Sequence, residues 1–239
     1  MEFSSLVFLE SLAVVFLGAT MQAATGLGAG LVIVPFLALI SLKLVPGPII
    51  FASLILSGLM AYRGKACIST KQLSGVFSGL VIGMVVGALV LHFLPLTHMS
   101  MAFGISILLA VVISAWAKNY RFNAPQKFAA GVLSGFMGTT AAIGAPVLAL
   151  LYQFEEGKTI RATLGLIYFI SSIIMLLFLH FAGLFSYPDL LLGVYLMPGF
   201  LVGYLFAGKA AKWVDSGHAR PTVLVISAIS AGFLIARNL

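Results

Sequence analysis

The chain has 239 residues, of which 62% are hydrophobic and only 8% charged, with a mean hydropathy of +1.17 and a formal net charge of +7. An ordinary soluble domain carries about 25% charged residues, and 13 basic plus six acidic side chains could not cover the water-facing surface of a soluble fold this large. That excludes a soluble globular protein, and the basic excess is read as positive charge kept in cytoplasmic loops rather than as a nucleic-acid surface.

The apolar runs are continuous, as in "GLVIGMVVGALVLHFLP" and "SMAFGISILLAVVISAW", and lack the short alternating segments of a membrane barrel. The expected fold class is therefore all-α and polytopic. The N-terminal stretch "MEFSSLVFLESLAVVFLGA" has no basic leader and carries Glu2 and Glu10, so it reads as a first membrane helix, not a cleaved signal. Polar and Pro/Gly punctuation divides the first half at about 3–24, 27–42, 47–62, 73–94 and 99–117. The second half divides at about 127–139, 143–154, 161–184, 188–208 and 220–237.

Five segments follow five. Leu17, Met21, Gly28 and Ala29 align at constant offset with Leu133, Met137, Gly144 and Ala145, and Gly79 and Gly83 fall on Gly199 and Gly203. Residues 1–119 and 120–239 are thus expected to be two repeats of one membrane transport domain. Placing Arg63, Lys65, Lys71, Lys118, Arg121, Lys127, Lys158, Arg161, Lys209, Lys212 and Arg220 in the cytoplasm leaves only Lys43 and Arg237 outside. With three single spans in each half, that assignment makes the repeats inverted.

The pairs 3–42 and 127–154 must then each return to the side they entered from. In the second pair, arms of about 11 to 13 residues are under about 20 Å long, against a hydrocarbon core of about 30 Å. A re-entrant hairpin is expected there, with its tip at "TTAAIGAP"; the first pair has a longer first arm. Helix starts at the two tips would present unpaired amides and partial positive charge to an anion. Candidate substrate-binding residues are Gln22, Thr25, Gly26, Gly28, Ala29 and Gly30 at one tip, and Thr139, Thr140, Gly144, Ala145 and Pro146 at the other. Ser53, Ser171 and Ser172 lie on the following helices, with hydroxyls able to reach a central ligand or to bond back to their own helix. The glycines spaced four apart, Gly79, Gly83, Gly87, Gly199 and Gly203, read as a packing stripe, within one subunit or between two copies of a homo-oligomer.

"TGLGAGLVIVPFL", Thr25 to Leu37, and "TTAAIGAPVLALL", Thr139 to Leu151, resemble the paired glycine-rich motifs of the TauE/SafE family of sulfite exporter-like membrane permeases. Ala29 stands where the family commonly has glycine, and Ala141 and Ala142 stand where its second copy has threonine and glycine. The resemblance implies a permease for sulfite or organosulfonates, usually working outward, with a span count near eight. It implies no enzyme activity and no cofactor, and it places the protein in the cell membrane, the inner membrane of a prokaryote. Expected partners are the lipid bilayer, a small anion and a coupling proton or sodium ion. The alternatives are an anion channel of the same architecture or a permease for a different small anion.

Glu10 in the first segment is a candidate proton-coupling carboxylate or a wet interfacial residue. His92, His98 and His180 are expected at the outer interface. Arg63 and Arg161 are expected at the cytoplasmic mouth, either gathering anions or serving as orientation signals. The single cysteine, Cys67, excludes an internal disulfide and a multi-thiolate metal site. No HExxH motif, nucleophile elbow or carboxylate pair points to an intramembrane enzyme.

Overall fold

The computed structural model describes residues 5–26, 29–69, 73–95, 98–116, 120–214 and 219–236. Ten α-helices carry the described chain: α1 (Ser5–Thr25), α2 (Gly30–Ile40), α3 (Gly47–Arg63), α4 (Leu73–Phe93), α5 (Met99–Trp116), α6 (Ala124–Ala141), α7 (Ala145–Leu151), α8 (Gly157–Phe181), α9 (Tyr187–Val214) and α10 (Ala219–Ala236). Continuous helix is what an apolar solvent demands, because each backbone amide must find its partner within its own segment. Five of these helices, α1, α4, α5, α8 and α9, are long and apolar enough to cross a membrane. The protein is a multi-pass membrane protein. Large apolar side chains face outward along the bundle, among them Leu89 at 53% and Leu205 at 65% exposure, as a lipid-facing surface requires.

Most of the segments read from hydropathy coincide with helices, but the two helices of the second pair, α6 and α7, differ in length. Helix α6 has 18 residues, about 27 Å, where an arm of about 13 was expected. It starts earlier because Asn123 and Gln126 form a capping box, each side chain accepting from the other's backbone N–H, with Pro125 in the first turn. Of these two helices only α7, with seven residues or about 10 Å, is too short to cross. The arm-length argument for re-entrance therefore holds for α7 and fails for α6.

Glycines set the principal helix contacts. Gly79 and Gly83 of α4 lie against the backbone of Phe128 and Val132 of α6, and Gly131 and Gly135 of α6 lie against Val76 and Leu80 of α4, so these helices run in the same direction. On the opposite flank, Gly199 and Gly203 of α9 face Leu12, Val15, Phe16 and Ala19 of α1, again in the same direction. The stripe is therefore spent on packing within one chain. Between these flanks α3 and α8 run antiparallel: Gly58 meets Phe169, Gly165 meets Met60, and Gly64 meets Ala162. Helix α3 also runs alongside α9 in the same direction, with Gly193 against Pro48 and Phe51 and the Tyr204 hydroxyl near the Leu59 carbonyl. Helices α4 and α8, α5 and α10, α2 and α10, and α5 and α7 complete the bundle.

Charged and titratable groups sort to its ends. Arg63 stacks on the Tyr204 ring at 5.3 Å, and the Ser69 N–H donates to the Thr163 hydroxyl at the same end. At the other end the His92 ring bonds the Ala182 carbonyl and His180 bonds that of Phe185. Glu10 is exposed on α1.

Candidate functional site

Helix α1 stops at Thr25 because Gly26 takes a left-handed φ of 77°, its N–H donating back to the Gln22 carbonyl. Helix α6 stops in the same manner. Ala142 has φ 56° and ψ 28°, its N–H donates to Gly138, and the next N–H, of Ile143, donates to Met137. Gly26 and Ala142 are separated by the same offset that relates Gly28 to Gly144. A side chain in this region is strained, by about 1 kcal/mol or more, so Ala142 is a position where the chain departs from its easiest backbone.

The two breaks touch. A Cβ on Gly30, the first residue of α2, would run into the Ala142 carbonyl oxygen and lie 3.2 Å from Ile143 Cα. Gly144 is likewise closed against the Ser134 carbonyl, while the Ser134 hydroxyl donates to the Gly144 carbonyl at 2.6 Å. From α8, the Tyr168 hydroxyl stands 3.1 Å from the Gly26 carbonyl oxygen and 3.2 Å from that of Ala145, spanning both tips. Arg161, near the start of α8, donates to the Ala24 carbonyl at 3.2 Å, placing a cation at the carbonyl end of α1.

Between the tips lies a cavity of about 70 Å3, room for a few waters or one small oxyanion. Both halves of the chain wall it. Of the residues expected from sequence, Gln22, Ala29, Gly30, Ser53, Gly144, Ala145 and Ser171 line it, as does Ser172. Thr25, Gly26, Thr139, Thr140 and Pro146 do not, and Gly28 lies outside the described residues. The threonines were expected to aim donors at a ligand. Instead Thr139 donates to Gly135, Thr140 to Phe136 and Thr25 to Met21, each one turn back along its own helix. Ser53 similarly donates to the Ile50 carbonyl.

Expected amides are also partly committed. The Ala29 N–H at the start of α2 donates to Gln22 Oε1, and Pro146 in the first turn of α7 has no N–H to give. A backbone N–H can only donate, so this bond fixes the carboxamide with its oxygen on the backbone and leaves its NH2 as the uncommitted function. Among the described residues the Gln22 side chain has no other hydrogen bond. Ser171 Oγ is buried without a partner. Tyr168, which joins the two tips, and Ser134, which holds Gly144 against α6, were missed by the sequence reading; a lone tyrosine in an apolar helix has no pattern to mark it.

A multi-pass helical bundle with broken helices around an uncharged internal cavity belongs to the membrane transport proteins. The family model described as Sulfite exporter TauE/SafE matches residues 11–234, and the chain belongs to that family. No curated protein and no solved structure gave a match. Membership makes this a membrane transport protein of the sulfite-exporter type, for which a small anion is the substrate class.

Proposed function

We propose that this protein is a secondary transporter that carries a small sulfur-containing anion, sulfite or an organosulfonate, out of the cell by alternating access at the cavity between the two tips. The observation that carries this reading is the cavity itself: it is walled from both halves, at the place where α1 and α6 break, by Gln22 and Ser171 with uncommitted polar groups and by the Ser172 side chain beside them. An anion needs donors, and the Gln22 NH2 and the serine hydroxyls supply them.

The two halves, 1–119 and 120–239, are read as inverted repeats. In support, exchanging α1 for α6, α3 for α8 and α4 for α9 maps the α1–α9 contact onto α6–α4 and the α3–α9 contact onto α8–α4. The directions of packing agree as well, since α3 and α8 run antiparallel while α3 shares a direction with α9 and α8 ends beside the end of α4, where His92 meets the Ala182 carbonyl. Rocking of one half against the other would open the cavity to either face in turn.

Outward movement of an anion needs no coupling ion. An inside-negative potential drives each negative charge outward by about 2.3 kcal/mol per 100 mV. Among the described residues no carboxylate lines the cavity, Glu10 included, so membrane potential is the driving force this reading favours over a proton or sodium ion.

The test is uptake of labelled sulfite and sulfonates by proteoliposomes of the purified protein under an imposed potential. Saturable uptake, with exchange of internal for external anion, is expected of a carrier. Conductance that does not saturate and shows no exchange would instead make it a channel, and absence of any sulfur-anion flux would overturn the substrate assignment.

A further inference from the structure

We infer that the cavity selects its substrate by charge state, taking singly charged oxyanions such as hydrogensulfite or a sulfonate and rejecting doubly charged ones such as sulfite dianion or sulfate. This rests on the transporter reading above. No lysine, arginine or histidine lines the cavity among the described residues, and the tip residues outside them, Leu27 and Gly28, are uncharged. The polar atoms free to meet a ligand are neutral: the Gln22 NH2, fixed by the Ala29 N–H on its oxygen, and the hydroxyls of Ser171 and Ser172. Gln22 and Ser171 are themselves buried, at 6% and 3% exposure, and Ser171 Oγ has no partner, an arrangement that leaves a donor waiting for a ligand.

The cost of taking an ion out of water rises with the square of its charge, so a dianion costs about four times as much as a monoanion of the same size. Fixed positive potential at the site comes from the start of α2, about half an elementary charge. That is enough to favour one negative charge and too little to offset two. Arg161 is no direct partner of the ligand, because its guanidinium donates to the Ala24 carbonyl and does not line the cavity. Among the described residues Tyr168 is the one ionisable side chain on the wall, and its phenol is neutral across the working pH range. Charge recognition is therefore a matter of what the cavity lacks: neutral donors satisfy one delocalised charge, and no countercharge is present for a second.

The test measures saturable uptake of labelled sulfite by proteoliposomes, with flux into protein-free vesicles subtracted, at a series of pH values across the second ionisation of sulfite. In parallel, unlabelled methanesulfonate and sulfate compete at one pH; they are similar tetrahedral anions with one and two charges. Uptake is expected to fall with the hydrogensulfite fraction, close to tenfold per pH unit above that ionisation, and methanesulfonate is expected to compete at least about tenfold better than sulfate. Uptake that follows the dianion, or sulfate competing as well as methanesulfonate, overturns the charge-state inference and leaves the transporter standing. No saturable sulfite uptake at any pH overturns the transporter reading, and this inference with it.

Discussion

The Tyr168 hydroxyl holds two backbone carbonyls at once, that of Gly26 where α1 ends and that of Ala145 where α7 begins. It has one proton for two acceptors, so it donates to either or divides its bond between them. Any motion that separates the tips must break at least one of these contacts, which makes Tyr168 a latch on the arrangement that encloses the cavity. Replacing it by phenylalanine keeps the ring in its packing and removes the latch. Tyr168→Phe is expected to cost about 1 kcal/mol of stability. If that bond exists in only one of the two access states, the same loss shifts their ratio about fivefold. Thermal unfolding in detergent and proteoliposome flux measure the two effects; a variant with unchanged flux would show that the tips do not move relative to Tyr168 during transport.

Ala142 occupies a left-handed backbone conformation that Gly26 takes without penalty at the corresponding position of the other half. Its methyl group makes no hydrogen bond, and its carbonyl is packed beneath Gly30. Ala142→Gly is therefore expected to stabilise the protein by about 1 kcal/mol, because relief of the strained φ outweighs the added freedom of the unfolded chain. The melting temperature checks it. A lower melting temperature would mean that the Ala142 methyl contributes more by filling the cavity wall than its backbone costs.

The α4–α6 seam depends on backbone-to-backbone approach. A Cβ on Gly83 would overlap the Val132 carbonyl oxygen and come within 2.8 Å of the Phe136 nitrogen, whereas a Cβ on Gly75 of the same helix meets nothing within 4 Å. Gly83→Ala is expected to destabilise by about 1 to 3 kcal/mol, as overpacking does in a close-packed interior. Gly75→Ala is expected to be neutral or stabilising by a few tenths of a kcal/mol. Equal melting temperatures for the two variants would show that the helices can separate without loss.

Helix positions and the breaks between them could be read from sequence because a membrane imposes a simple rule: apolar runs are helices, and an interruption such as "TGLGAG" or "TTAAIGAP" needs a reason. The gap between α1 and α2 and the gap between α6 and α7 both fall on those stretches. Side-chain hydrogen bonding was less legible. Thr25, Thr139 and Thr140 stand beside the breaks, but a hydroxyl on a helix has a carbonyl one turn back always within reach, and in this fold they all take it. Gln22 escapes that choice because its longer side chain reaches forward to Ala29, seven residues on. Nor could composition reveal that Gly144 packs against Ser134, so that Gly144→Leu would disturb the α6–α7 contact as well as any ligand.

Orientation in the membrane is open to a test that uses the protein's own thiol. Cys67 is partly exposed in the short segment after α3, at the end of the bundle where Arg63 and Lys65 lie. The distribution of lysine and arginine puts that end in the cytoplasm, and the His92 and His180 end outside. In intact cells a membrane-impermeant maleimide is expected to leave Cys67 unlabelled, and permeabilising the cells is expected to expose it. In a Cys67→Ser background the pattern should reverse at the other end, with Tyr187→Cys, at the exposed start of α9, reacting from outside. Because α1 runs with α9 and α6 runs with α4, those two labelling results together also orient α1 and α6. Labelling of Cys67 from outside would invert the whole arrangement, putting the Arg161-capped end of α1 toward the external face.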